Sequence, residues 1–435
     1  MSTSETFRES RRLWKLAALV SACALLAACG GGANKPASSS SGAKAPSGSP
    51  IKLGVMADLN GTSAPVGSSI RLGTDLAVDQ INAAGGINGH PLEVTFVDPK
   101  SDPAEAIQEA TKLVQQDRVD ILVGAVLSSE CLAVEQLVPK LQVVYMASSG
   151  CAAEDLTSKT CNKYTFRIEP VGKQTVGSLA DYAVKTYGKR WAMPYNDYAY
   201  GQSQLAAYKA LMTPLGGSIA PEIPMPQNEP NLAPYITKIP TDGSVDGVII
   251  AGLGAGDQAR VVGALGQFGV SKKLAVIGAG TKEGYSGVYP DGINGSIGQS
   301  PYLANLPEGN KFSAAFEQAF HGILPKEPDA TNVIGGAKAV PGAQGYIAYT
   351  AITALKQAML ASKFTGRPDT EKLITALENL KAPLGPDFPG GDVVMDKADH
   401  QGAMTTYVYK IDGQNESILT TIPADKIPAI GTCHV

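Results

Sequence analysis

From Ile51 to Ser149 the apolar residues fall into short unbroken runs separated by longer stretches of helical period. The runs IKLGVMA (51–57), LEVTFVD (92–98), DILVGAV (120–126) and VVYMAS (143–148) read as buried strands. Between the first two, Ile70, Gly73, Ala77 and Ile81 share one helical face over 69–84, and Gly85-Gly86 stop that helix. Ser101-Asp102 caps a second helix, with Pro103 at its first position and Ala106, Ile107, Ala110, Leu113 and Val114 along it. A third helix runs from about Glu130. Strands of this kind, joined by helices of this length, make a parallel sheet covered on both faces. Ligands of such sheets sit at the carboxyl ends of the strands. The loops after Ala57, Val126 and Ala147 are the expected ligand loops.

A second series of the same kind begins near Pro170. KRWAMPY (189–195), GSIAPEI (217–223), DGVIIAG (246–252), KLAVIGA (273–279) and INGSIGQS (293–300) read as strands. Helices are expected over Gly201–Met212 and from Asp257, as cap, to about Phe268. The tail adds helices over 345–361 and 370–380 and an antiparallel pair, 391–395 with 404–411, joined through KADHQG (397–402). Two α/β lobes in tandem, without sequence repetition, suggest a cleft between them.

The N-terminus changes the picture from a plain globule to an exported one. Arg8, Arg11, Arg12 and Lys15 form a basic region ahead of an apolar stretch, Leu16 to Ala28, that is short for a bilayer span. It ends in Leu26-Ala27-Ala28-Cys29, which resembles the bacterial lipobox, in which a signal peptidase cuts before a Cys that carries lipid. An ordinary signal peptide, or a buried apolar helix with an incidental Cys, is the competing reading. Ser10-Arg11-Arg12 fits a twin-arginine export signal only in part. Residues 30–50 are Gly, Ser, Ala, Pro and Lys, with one Asn and no large apolar side chain. They form a flexible tether with a reach of roughly 25 Å.

Charge and cysteine usage agree with export. The formal charge is −4; removal of residues 1–28 takes away four basic and two acidic side chains and leaves −6. No basic block is present, so nucleic acid is not an expected partner. Beyond Cys23 and Cys29, four cysteines remain: Cys131, Cys151, Cys161 and Cys433. An even number in an exported chain suggests disulfides; four allow three connectivities, of which Cys151–Cys161 is the most local. No metal-ligand spacing joins the four histidines, and no cofactor motif is complete. GLGAG (252–256) lacks the full spacing and acidic partner of a dinucleotide fingerprint, and no nucleophile elbow or phosphate loop occurs.

The stretch LGVMADLNGTSAPVGSSIRLGTDLAVDQINAAGGINGHPLEVTFVDPKSDPAEA is similar to the opening of the branched-chain amino acid type of periplasmic binding protein, type I and Leu/Ile/Val-binding-like. The likeness continues through VDILVGAVLSS, NDYAYGQS, the 246–257 stretch and the DHQ turn near His400, and covers about 51–413. INAAGGINGHPLEV is its most specific block: a helix ending on paired glycines, a tight Asn-Gly turn, then a strand.

The resemblance implies two Rossmann-like lobes with parallel-sheet cores joined by a three-segment hinge, closing on a small ligand. Lobe 1 is then 51–170 plus 300–385, and lobe 2 is 171–299 plus 386–435, behind a signal peptide (1–28) and a lipidated Cys29 with its tether (29–50). It implies ligand contacts at Ser128 and Ser129 and at Ser148 and Ser149 in lobe 1, and at Tyr198, Tyr200, Gly254 and Thr281 in lobe 2. Ser128 serves equally as the cap of its own helix, Ser148-Ser149-Gly150 as a plain turn, and the tyrosines as core. Where amino-acid binders of this type carry an acid to pair the ammonium, this chain has Gly278-Ala279-Gly280-Thr281, with Glu283 slightly beyond. Where they carry a second aromatic, Gly254 or Ala255 stands. A simple α-amino acid therefore fits less well. A small carboxylate, an aromatic acid, an amide or a larger molecule stays open.

The function expected is that of a solute-binding lipoprotein on the outer side of a membrane, monomeric, lipid-anchored, and partnered by the permease subunits of an ABC importer. A ligand sensor signalling to a separate membrane partner is the first alternative, and a nucleotide-binding enzyme the second.

Overall fold

The computed structural model describes residues 45–304, 306, 310–427, 430 and 433. The leader, Cys29 and most of the tether lie outside the described residues. In the first sheet β1 (Ile51–Met56), β2 (Leu92–Val97), β3 (Ile121–Gly124), β4 (Val144–Ala147) and β5 (Thr165–Arg167) take the order 2-1-3-4-5, all parallel. They are linked by α1 (Ala64–Ala83), α2 (Pro103–Gln115) and α3 (Ser128–Leu141). Asp102 caps α2 as its sequence implies, accepting from the Ala104 and Glu105 N–H groups. The Asn88-Gly89 turn closes an Ile87–His90 bridge with both residues at positive φ.

The chain then crosses to a second sheet through α4 (Lys173–Thr186), β6 (Arg190–Asn196), α5 (Ala199–Met212), β7 (Ser218–Met225), α6 (Ala233–Ile236), β8 (Gly247–Ile249), α7 (Ala255–Gln267), β9 (Ala275–Ala279) and β10 (Ile297–Ser300). It returns as α8 (Lys311–Ile323), α9 (Pro328–Val333), α10 (Ala343–Ser362) and α11 (Thr370–Glu378), of which α8, α9 and α10 pack on α1. Gly73 makes the α1–α10 approach possible: a Cβ there would lie 2.2 Å from the Gly345 carbonyl oxygen. A small antiparallel sheet follows, β11 (Lys381–Ala382), β12 (Val393–Met395) and β13 (Gly402–Met404). The last strands, β14 (Thr406–Asp412) and β15 (Asn415–Ile422), add antiparallel to β10, so the second sheet reads 15-14-10-9-8-6-7. The chain thus passes between the two main sheets three times, near 168–172, 301–310 and 405.

Three local expectations are corrected. The helix expected over 69–84 begins at Ala64, because Pro65 sits in its first turn, where a missing N–H costs nothing. The strand expected over 404–411 is two strands in different sheets. Met404 pairs with Val393 and Tyr407 with Ser300, and the chain changes partners at Thr405. An apolar run reports burial; it does not report which sheet receives it. Asp257 does not cap α7, whose N-cap is Gly254. Its carboxylate instead binds the Asn196 side chain at 2.8 Å and the Asn228 N–H at 3.1 Å, and pairs with Arg260.

The four cysteines are all bridged, but not as the shortest loop suggests. Cys131 joins Cys151 and Cys161 joins Cys433, with Cα separations of 5.8 and 6.3 Å. Parallel pairing of β3 and β4 lays the first turn of α3 over the exit of β4, which brings Cys131 to Cys151. Sequence distance does not measure that approach.

Candidate functional site

Both sheets reverse their build-up order at one point. In the first the switch lies between β1 and β3, and in the second between β6 and β8. Helices leave to opposite faces at such a point and open a crevice at the carboxyl ends of the strands. Here the two crevices face one another. A cavity of about 240 Å³ lies between them. Ser63 and Val66 after β1, and Val126 and Leu127 after β3, form one wall. Tyr198 and Tyr200 after β6, and Leu253 and Gly254 after β8, form the other. Residues of the chain crossings also line it: Glu169 and Pro170, Ser300 and Pro301, and Thr406. At roughly 10–15 Å³ per water-sized site, that volume accepts on the order of twenty non-hydrogen atoms.

The sequence-derived site residues divide. Tyr198, Tyr200, Gly254 and Thr281 line the cavity; Ser128, Ser129, Ser148 and Ser149 are not among its lining residues, although their neighbours Leu127 and Gly150 are. Ser128 Oγ accepts from the Ala153 N–H at 3.0 Å, tying α3 to the segment after Cys151. Ser149 Oγ donates to the Gln344 carbonyl. Ser148 Oγ is buried without a partner. Tyr198 is the N-cap of α5 and Tyr200 enters its first turn; the Tyr200 hydroxyl donates to the Ala251 carbonyl at 2.6 Å. Gly201 is needed beside them, since a Cβ there would lie 1.9 Å from the Asn196 carbonyl oxygen. Gly254 N–H donates to Asn196 Oδ1 at 2.9 Å.

Carboxylates that the sequence reading passed over, or gave no role, set the electrostatics. Glu130 folds back over its own helix start: the Val126 and Leu127 N–H groups donate to its Oε2 at 3.2 and 2.8 Å. Burial and the neighbouring Asp58 carboxyl push Glu130 up to about 8. Glu169 does the same for the next loop, its carboxyl facing the Gly150 and Cys151 N–H groups. Burial raises it to about 8 against the opposing pull of Arg167. Glu283 crosses from the turn after β9 to the start of α10, where the Gln344 and Gly345 N–H groups donate to it at 2.7 and 2.9 Å. Burial raises Glu283 too.

Arg167 ties the first crossing to the small sheet. Its Nε donates to Gln401 Oε1 at 2.7 Å and its Nη1 to the Cys151 carbonyl at 2.8 Å; further bonds reach Ala153 and Thr157. Burial lowers it to about 10. His400, at positive φ, stacks on Phe166 at 3.9 Å, and its backbone carbonyl accepts from the Arg167 N–H. The available signal for Arg167 and Glu169 was two opposite charges in the otherwise apolar run YTFRIEPV (164–171).

Two facing Rossmann-like sheets, three crossings and a cavity between define a hinged solute-binding fold. The chain belongs to the periplasmic binding protein family, whose sequence model matches residues 50–416. Within that family it is of the type I, Leu/Ile/Val-binding kind. Leu/Ile/Val-binding protein homolog 8 of Brucella abortus is 25% identical over 310 residues, 67% of this chain and 75% of that protein. Homolog 3 of Brucella melitensis is 25% identical over 195 residues, 45% of this chain; the match spans about half of that relative, 52% of its length. Among solved structures, a solute-binding protein of Rhodopseudomonas palustris BisB5 in complex with 3,4-dihydroxybenzoic acid superposes with a TM-score of 0.73 at 21% identity, covering 87% of this chain and 98% of that one. A leucine-binding protein of Thermotoga maritima gives 0.69 at 17%, covering 86% and 99%.

Proposed function

We propose that this protein is the lipid-anchored solute receptor of an ABC importer, working outside the cytoplasm as a monomer and handing a small ligand to the permease subunits. The cavity at the facing carboxyl ends of the parallel strands of two sheets is the observation that carries this reading. The lobes are divided at the three crossings, which act as the hinge; the boundary expected at 385 moves to about 405, because β12 and β13 stay with β11 and the chain joins the second sheet only from β14. Closing the lobes converts binding energy into a shape that a permease can recognise. The leader, ending in Leu26-Ala27-Ala28-Cys29, supplies export and the anchor, and the tether holds the body off the membrane. Tyr198, Tyr200, Gly254 and Thr281 contact the ligand, and the Ser128 and Ser149 hydroxyls hold the neighbouring loops in place. Nothing in the reading requires chemistry on the ligand.

Of the solved structures similar in fold, one is in complex with 3,4-dihydroxybenzoic acid and another is a leucine-binding protein. The class taken from the sequence, an amino-acid-like solute, an aromatic acid or an amide, therefore stands as the starting panel. A thermal-shift screen of the purified body against these classes tests the reading, since a ligand held only by the folded state raises its melting temperature. A rise for at least one class is expected. Cys29→Ser is expected to release the protein from membranes in fractionated cells, and persistent membrane association would remove the anchor from the proposal.

A further inference from the structure

Most of β15 and all of the tail beyond it lie outside the residues that the family model matches. β15 is the outer strand of the second sheet, paired with β14. The chain beyond it does not stay with that sheet. The short turn Ala424–Lys426 packs against β12 and β13, and Ala424 is buried there. Those two strands belong with β11 on the first-lobe side of the last crossing. Cys433 is then bonded to Cys161, which lies between β4 and β5 of the first sheet. The described tail residues therefore add a fourth link between the lobes, and a disulfide closes it.

Ile430 is buried in a small apolar group with Ala152 and Val171, and Tyr200 packs against that group. Ala152 belongs to the first wall of the cavity, Val171 to the first crossing, and Tyr200 to the second wall. Two residues on from Ala152, the Glu154 N–H donates to Ser203 Oγ of α5 at 3.2 Å. The lobes thus touch along the edge where Ile430 sits. The roughly eleven residues from Ile422 to Cys433 could span on the order of 35 Å if extended. The bridge alone therefore leaves the lobes room to part. Its effect is to keep Ile430 close to Ala152, Val171 and Tyr200, so that their contact does not carry the full ordering cost of a free terminus. Drawing Tyr200 away from the group returns apolar surface to water.

We infer that the tail, fastened by Cys161–Cys433 and seated by Ile430, limits how far the lobes open and holds Tyr200 toward the first wall in the ligand-free protein. This rests on the solute-receptor reading above for its hinge, and adds a restraint to that hinge. Ile430 acts through Tyr200 and is a positioning residue. A receptor held part-closed offers a ligand a site already near its bound shape, so less binding energy goes into bringing the walls together.

The test compares the two bridges in the purified, ligand-free, full-length protein, well below its melting temperature. One variant carries Cys161→Ser with Cys433→Ser, and the control carries Cys131→Ser with Cys151→Ser. Both are expected to melt earlier, because each bridge restrains the unfolded chain. Only the first is expected to open the native body, since Cys131 and Cys151 lie in the same lobe. Its radius of gyration by X-ray scattering is expected to rise by roughly 1 Å on a compact body of this size. Amide exchange over 168–172 and at the start of α5 is expected to quicken roughly tenfold. Ile430→Ala, with the bridge intact, is expected to give the same changes at smaller size, and Ile430→Val to keep the wild-type values. If the serine pair folds poorly, Ile430→Ala carries the test. An unchanged radius and unchanged exchange in the Cys161 and Cys433 variant would overturn the inference. Equal opening in the two bridge variants, or an Ile430→Ala protein that behaves as wild type, would overturn it as well. The measurement needs no ligand, so its outcome is independent of the thermal-shift screen on which the receptor reading stands.

Discussion

The two walls of the cavity are built from equivalent sheet switch points but present different chemistry. The first-sheet wall is made of backbone and small or apolar side chains: Val66, Val126, Leu127, Gly150 and Ala152. Its loop N–H groups are turned inward onto Glu130 and Glu169. The second-sheet wall presents side chains, Tyr198, Tyr200, Gln204 and Gln227 among them, and its structural amides are tied to one another. Gln258, for example, donates to the Ile250 and Gly278 carbonyls and accepts from the Gly280 N–H and the Tyr285 hydroxyl. The same topology thus yields one wall whose polar groups are satisfied by internal carboxylates and another that reaches into the ligand space. A loop at the end of a strand marks a place for chemistry, but neighbouring side chains decide whether its N–H groups are available.

The sharpest way to break the first wall is to remove Arg167, which holds the segment after Cys151 in position. Arg167→Ala leaves Gln401, Thr157 and two carbonyls without their donor, and is expected to cost about 3–5 kcal/mol in denaturant unfolding. A cost below about 1 kcal/mol would show that the network is not structural. Removing the staple between the same two loops, with Cys131→Ser and Cys151→Ser together, frees a 20-residue separation and is expected to cost about 3 kcal/mol. No corresponding bridge crosses the second wall among the described residues, so reduction of the wild type is expected to loosen the first-wall loops first, as read by hydrogen exchange.

A smaller effect distinguishes the walls by pH. Glu130 and Glu169 stand at about 8 in the folded protein against an ordinary 4.5, and Glu135 at about 7. The folded state therefore keeps protons that the unfolded chain releases between those values. The stability these groups contribute is fully present below about 4.5 and is lost as pH rises through about 8. The melting temperature of the ligand-free protein is expected to fall between pH 5.5 and 8.5, and Glu130→Gln is expected to flatten that slope. A slope unchanged in the variant would contradict the assignment. The smallest effect is expected where the walls meet. Glu283→Ala removes the cap that the second-lobe turn places on α10 and is expected to cost about 1 kcal/mol. Scattering from the ligand-free variant is expected to show a more open body, and an unchanged radius of gyration would mean that this contact does not hold the walls together.

Much of the fold was legible because it is written in local periods. Apolar runs bounded by Gly, Pro and Asp located β1 to β4 and β6 to β9, and Asp102 and Asn88-Gly89 carried their own turn chemistry. The site was legible in part. The loops after the strands pointed to the correct end of each sheet, and Tyr198 and Tyr200 line the cavity. Glu130 was used only to mark a helix start, and nothing in its spacing says that its carboxylate turns back on Val126 and Leu127. Ser128 was expected to offer its hydroxyl to a ligand, yet that hydroxyl accepts from Ala153, a residue that only the packing of α3 beside the β4 exit brings near.

By itself, then, the sequence determined the strand-helix alternation, the two-lobed family fold and the strand ends at which a ligand site must lie, because hydrophobic period and turn residues act over a few positions of chain. Only the tertiary structure decided that Cys131 meets Cys151, that Thr405 parts two sheets, and that Glu130 turns its carboxylate back on the loop after β3. Those facts depend on which distant groups share a buried volume, and burial and charge are settled by neighbours in space.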